Sequence, residues 1–193
     1  MNEILESLRS TKFPKCSTRK NVASGGYEGF CLGEVNYRGQ AFLGGRTRGP
    51  SSHNAKHERL FTLLKDFIQQ KRPRFSYTTI QINKNVECLP HVDANNVGSS
   101  YIIALGDFTG GELVVEGNEI PVKNRLVRFD GRKGHWTNPF KGERYSIIYF
   151  THTFKPPTRE YARTFVSKDG LFINNVLTIQ YPRRLTSTQR FQV

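Results

Sequence analysis

Two short patterns in this 193-residue chain combine side chains able to do chemistry. One is His91-Val92-Asp93; the other is His135, followed shortly by Arg144-Tyr145-Ser146. In an extended segment alternate side chains share a face, so His91 and Asp93 can point into one site. Arg144 and Ser146 repeat that geometry, and a hairpin-rich sheet could return His135 to the first pair. Two imidazoles and one carboxylate on one face of a metal leave the opposite positions open, which suits non-haem Fe(II) and oxygen chemistry. A planar guanidinium bonds a carboxylate bidentately and stays charged, and a neighbouring hydroxyl adds a donor.

The elements that would position these residues are mostly strands. From Phe75 onward the chain reads FSYTTIQIN, SYIIAL, ELVVEG, EIPV, RLVRF and ERYSIIYFTHTF, separated by the turn-rich pieces NKN, GDFTGG, GNE and GRKG. Short strands punctuated in this way predict an antiparallel sandwich or barrel with helices packed outside. Upstream, residues 2–9 predict a short helix with Ile4, Leu5 and Leu8 on one side, and residues 25–49 read as short strands and turns around YEGFCLGEV and QAFLGG. Ser51 to Asn54 offer N-caps for a helix over 55–70, where Leu60, Phe61, Leu64, Phe67 and Ile68 form an apolar stripe. Pro73 disfavours its continuation. The tail after Phe154 has enough apolar residues to pack on the domain, and its last residues, TSTQRFQV, read as frayed.

The length fits one domain over 1–193, with support elements in 1–75, a β core in 76–153 and an extension in 154–193. Twenty-nine Lys and Arg against 16 Asp and Glu give a net charge of +13, which favours a polyanionic partner. Three widely spaced cysteines argue against a disulfide framework or a zinc site. No apolar run is long enough to span a bilayer and no secretory h-region follows Met1, so the expectation is a protein working inside a cell, nuclear or cytoplasmic, without a membrane partner.

From Tyr77 to His152, including the GGEL turn at Gly110 to Leu113, the sequence resembles the iron- and 2-oxoglutarate-dependent dioxygenases. That resemblance implies a mainly β fold with flanking helices, a double-stranded β-helix or jelly-roll core. It implies an oxidoreductase using Fe(II), 2-oxoglutarate and O2. Position by position, it makes His91, Asp93 and His135 the iron ligands and has Arg144 and Ser146 hold the distal carboxylate of 2-oxoglutarate. His152 competes for the third ligand position, but it follows Arg144 on the same segment, against the family's order, and is read as structural. His53 and His57 are read as surface or capping groups. Family precedent puts cosubstrate contacts on the strands carrying Asn83 and Tyr101.

Within the superfamily, INKNVECLPHVDANNVGSSYIIALGDFTGGELVVEG is similar to the branch of the ten-eleven-translocation methylcytosine oxidases and J-base thymine hydroxylases. This implies oxidation of a methylated base in nucleic acid, DNA ahead of RNA, and a base taken from a duplex would be flipped into the pocket. Candidate phosphate contacts are Arg46, Arg48, Lys71, Arg72, Arg74, Arg132 and Lys133. The alternatives are a side-chain hydroxylase of the prolyl type, built on the same iron core, and a non-catalytic nucleic-acid-binding jelly roll.

Overall fold

The computed structural model describes residues 1–16, 22–23, 26–38, 46–152, 160–166 and 172–178, with 36–38, 46–48, 160–166 and 172–178 described by their backbone. The chain divides into two compact units, Met1–Tyr37 with Arg48–Phe154, and Arg38–Thr47 with Lys155–Val193. In the second unit, strands β13 (Glu160–Val166) and β14 (Phe172–Thr178) form an antiparallel pair.

The chain opens with helix α1 (Asn2–Ser10), then β1 (Lys15–Cys16), β2 (Tyr27–Arg38) and β3 (Arg46–Pro50). Helices α2 (His53–Lys56) and α3 (Glu58–Lys71) follow. The remainder is β: β4 (Thr79–Lys84), β5 (Asn96–Leu105), β6 (Phe108–Gly110), β7 (Leu113–Val115), β8 (Asn118–Ile120), β9 (Val127–Phe129), β10 (His135–Thr137), β11 (Phe140–Gly142) and β12 (Tyr145–His152). The main sheet runs β1-β2-β4-β12-β5-β9, and the opposing strands are β10-β7-β8 and β11-β6. This is a mainly β jelly roll with few helices, the core that the family resemblance implied, and it agrees with the antiparallel sandwich or barrel predicted from the strand pattern.

Period-two alternation gives the main sheet two different faces. Its outer face carries Phe30, Leu32, Ile80, Ile82, Ile103, Leu105, Tyr145, Ile147 and Tyr149, all in one apolar cluster with Leu60, Leu64 and Ile68 of α3 and Ile4 and Leu8 of α1. The helices present these residues at i, i+4 and i+8, one stripe each. Each fully buried Leu or Ile contributes about 1.5–3 kcal/mol by leaving water. The inner face carries Ile102 and Ala104, packed with Phe108, Leu113, Val115, Val122 and Phe129. Among the described residues no helix is long and apolar enough to cross a membrane.

Two local expectations change. The helix expected over 55–70 is interrupted at His57, whose backbone (φ −128°, ψ 38°) leaves the helical region while its ring stacks on Phe30 at 4.5 Å. His53 and His57 make no side-chain caps; with Phe30 they form a stacked, half-buried trio. Ser51 and Asn54 instead fasten β2: Ser51 Oγ donates to Cys31 O at 2.6 Å, and the Asn54 amide bonds both backbone groups of Gly33. Second, β2 lies within the span expected to supply only support, yet it is a strand of the main sheet, paired with β4 from Glu28↔Lys84 to Gly33↔Thr79.

Candidate metal centre and cosubstrate pocket

His91 is not in a regular strand. It forms an isolated antiparallel bridge with His135, the first residue of β10, each N–H donating to the other's carbonyl at 3.0 Å. Side chains of such a directly opposed pair project to the same side, and the two imidazole centres lie 4.3 Å apart. Asp93 N–H donates to Gly131 O at 2.8 Å, which holds the carboxylate beside them. The ligand atoms of His91, Asp93 and His135 all lie within 4.8 Å of one another, and His135 Nε2 stands 3.9 Å from Asp93 Oδ2. A metal about 2.1 Å from each donor would draw them to roughly 3 Å separations.

The tautomers suit a metal. His91 Nδ1 lies 2.6 Å from Leu89 O and His135 Nδ1 lies 2.8 Å from Lys133 O. A carbonyl only accepts, so both Nδ1 atoms carry the proton, which leaves Nε2 as the ligating nitrogen, and that of His135 faces Asp93. Tethering of this kind orients a ligating imidazole and raises its basicity. Phe129 meets His135 edge-on at 5.4 Å, and His135 is only 5% exposed. His152 lies outside the cluster, at the end of β12 against Phe150, with ring centres 4.8 Å apart.

Arg144 is the second feature of the interior. It is 2% exposed, its guanidinium centre lies 5.5 and 5.4 Å from the rings of Phe108 and Phe140, and one amino group donates to Gly111 O at 3.0 Å. Its Nε is buried without a hydrogen-bond partner, and among the described residues it has no ion pair. Burial lowers its pKa to about 10, with Cys88 and Glu112 opposing weakly, so the group stays cationic at neutral pH. That shift corresponds to on the order of 3 kcal/mol of desolvation, which a bound carboxylate would offset. Gly111 makes the cradle possible: at φ +73°, a Cβ there would lie 2.9 Å from Arg144 Nε and 3.1 Å from Cδ.

Ser146 shares the inner face with Arg144, and opposite it on β4 stands Asn83. Gln81 Nε2 donates to Asn83 Oδ1 at 2.8 Å, and Asn83 Nδ2 donates to Ser146 Oγ at 3.2 Å. The amide orientation is thereby set, and the Ser146 hydroxyl accepts from Asn83 while its own proton remains to be donated. Cys31 Sγ extends the chain to Gln81 Oε1 at 2.9 Å.

Other expected contacts fall elsewhere. Tyr101 alternates with Ile102 and Ala104, so it points to the outer face, against Phe75 at 4.7 Å and under Arg72 at 5.4 Å, on the opposite side of the sheet from Arg144 and Ser146. Arg132 pairs with Asp130 through two bonds of 2.8 and 2.7 Å and holds that carboxylate down to a pKa of about 2. Lys133 Nζ lies 2.6 Å from Glu116 Oε2. These two cations are already paired with acids, whereas among the described residues Lys71, Arg72 and Arg74, which line one cleft, have no acidic partner. The side chains of Arg46 and Arg48 lie outside the described residues. Sequence reasoning missed Gly131, whose Cβ would lie 3.0 Å from Asn96 Nδ2 and 3.6 Å from Asp93 Oδ2, and the polar inner face of β2. The alternation of Gly29, Cys31 and Gly33 with Phe30 and Leu32 carries the signal for the latter.

No family model matches the chain, and no curated protein matches it in sequence. Among solved structures, it is similar to an oxidoreductase of the 2OG-Fe(II) oxygenase family from Burkholderia pseudomallei, with a TM-score of 0.51 and 20% identity over 77% of this chain and 76% of that one. It also matches the structure of OsALKBH1 at a TM-score of 0.36 and 13% identity, over 77% of this chain and 90% of that one, a superposition too loose to bear on function. What is shared at such identity is architecture: the chain is built on the jelly-roll fold of the 2OG-Fe(II) oxygenases.

Proposed function

We propose that the protein is an Fe(II)- and 2-oxoglutarate-dependent oxygenase that oxidises a base in nucleic acid. The observation that carries the first half is the pairing of the His91, Asp93 and His135 cluster with a buried Arg144 that has no ion pair among the described residues, inside one jelly roll. The three ligands would hold iron on one side, leaving other positions open. Bound iron would supply the redox centre at which 2-oxoglutarate and O2 are consumed.

The remaining roles belong to the chain's own groups. Arg144 Nε and its amino groups offer donors to a carboxylate, and the Ser146 hydroxyl adds another. Asn83 and Gln81 act as positioning residues, since their amides set which way that hydroxyl can donate. Carbonyls of Leu89 and Lys133 hold the two imidazoles in the ligating tautomer. Phe108 and Phe140 flank Arg144, which strengthens its attraction for an entering anion.

The net charge of +13 supports a nucleic-acid substrate. The resemblance to methylcytosine and thymine oxidases supports a methylated base, with DNA ahead of RNA.

Incubation with Fe(II), 2-oxoglutarate and methylated or unmethylated DNA and RNA, followed by succinate assay and nucleoside mass spectrometry, tests the reading. Succinate formation should rise with nucleic acid, and an oxidised nucleoside should accumulate. His135→Ala should abolish both, while His152→Ala should retain them. Turnover that survives His135→Ala refutes the metal assignment. Turnover stimulated by proline-containing peptides and not by nucleic acid replaces the substrate reading.

A further inference from the structure

On the outer face, beyond the end of α3, Lys71, Arg72, Pro73, Arg74, Phe75, Ser99, Tyr101 and Arg128 line a cleft of about 390 Å³. That volume is within the range of small-ligand pockets. Four of its side chains are cations, and among the described residues none is ion-paired. A basic residue in a last helical turn is explained by the helix dipole, which accounts for Lys71. Arg74 and Arg128 lie beyond its reach, one on the following turn and the other on a different strand.

The cleft is built rather than incidental. Arg72 N–H closes on Ile68 O at 2.7 Å, Phe75 N–H closes on Arg72 O at 2.9 Å, and Pro73 stiffens the turn between them. The Arg72 guanidinium rests over the Tyr101 ring, and Phe75 meets that ring edge-on. Arg128 is the direct cross-strand partner of Tyr101, so both project from the same face. Ordering Arg72 on the Tyr101 ring before a ligand arrives lowers the entropy cost of binding it.

We propose that this cleft binds a segment of single-stranded nucleic acid, with phosphates taken by Lys71, Arg72, Arg74 and Arg128 and a base set against the wall of Phe75 and Tyr101. A cationic groove interleaved with aromatic rings is the chemistry that holds single strands. Strand β9 links the cleft to the metal centre: Arg128 stands on its outer side, while Phe129 on its inner side touches His135. Because β9 is an edge strand of the main sheet, a flexible strand held at Arg128 can turn round that edge toward the ligand cluster. A duplex, whose bases are paired and stacked, offers no splayed base to the wall of Phe75 and Tyr101. The proposal rests on the nucleic-acid reading above and specifies the form of the substrate.

The test is fluorescence anisotropy with a labelled decathymidylate, a duplex of equal length and a polyglutamate peptide, each titrated with salt. The single strand should bind most tightly. The double variant Arg74→Gln/Arg128→Gln should weaken binding and flatten the log–log salt slope by roughly 0.7 per lost contact. Arg132→Gln/Lys133→Gln, at cations already partnered by acids, should change the slope much less. Tyr101→Leu should cost on the order of tenfold in affinity; should that variant lose its thermal midpoint, the exposed Arg74 and Arg128 pair still decides. If the wild type binds the oligonucleotide and the Arg74/Arg128 variant binds it equally, the cleft is wrong while the nucleic-acid reading stands. Preference for the duplex, or binding of polyglutamate as tight as that of the oligonucleotide, overturns the proposal. Absence of any salt-sensitive nucleic-acid binding by the wild type overturns both readings.

Discussion

The two faces of β12 differ in kind although both are buried. Outward, Tyr145, Ile147 and Tyr149 are at most 1% exposed, and both hydroxyls are satisfied, Tyr145 Oη donating to Glu143 Oε1 at 2.8 Å and Tyr149 Oη to Leu64 O at 3.0 Å. Inward, Arg144 and Ser146 are 2% and 4% exposed, yet the guanidinium has an Nε without a partner. The outer face is complete in itself, whereas the inner face is complete only with an anion. Burial alone therefore does not separate a stability residue from a site residue; satisfaction of its polar atoms does.

The sharpest way to widen that contrast is to damage the outer face. Leu64→Ala should cost about 3 kcal/mol in urea unfolding by leaving a cavity under the sheet, while the folded fraction keeps its 2-oxoglutarate affinity; a parallel loss of affinity would mean that the two faces are coupled. Arg144→Met should do the reverse, raising stability by about 1–3 kcal/mol because an uncompensated buried charge is replaced by an apolar chain. The same variant should no longer be stabilised by added 2-oxoglutarate, as ligand linkage requires. A lower unfolding midpoint for Arg144→Met would show that the cation supports the fold.

Gly111→Ala tests the inner face more gently. The backbone sits at φ +73°, so the substitution should cost about 1–2 kcal/mol, and its Cβ should displace Arg144 and raise the KM for 2-oxoglutarate with metal binding kept. An unchanged KM would detach Arg144 from the cosubstrate. The smallest effect belongs to the rim of the outer face, where His53 and His57 stack on Phe30. Burial lowers both pKa values below that of the unfolded chain, about 6.5, with nearby Lys56 adding to it. The unfolded state then binds more protons below that pH, so stability is complete above pH 6.5 and declines as the pH falls beneath it. The thermal midpoint should show this decline in the wild type and lose it in His53→Phe/His57→Phe.

Much of this was legible because period two and period 3.6 are written directly in residue type. The apolar stripe of α3, the strands β4, β5, β7, β9 and β12 and the candidate ligands His91, Asp93 and His135 follow from spacing and chemistry, whereas β6 lies in a piece, GDFTGG, that reads as a turn. Tyr101 shows the limit: an aromatic at the start of a strand reads the same whichever face it takes, and its partners Phe75 and Arg72 come from another part of the chain. The basic residues show the same limit, since Arg132 and Lys133 look like Arg72 and Arg74 until Asp130 and Glu116 are seen beside the first pair.

By itself the sequence determined the local alternation, the helix stripes and the set of side chains able to bind a metal and a carboxylate, because these depend on near neighbours along the chain. Tertiary structure alone decided that His91 and His135 bridge, that β2 joins the main sheet, that Gly111 cradles Arg144 and that, among the described residues, four cations around Tyr101 have no acidic partner. Each of these is a meeting of segments far apart in sequence, and long-range pairing is settled by how the strands close into the roll.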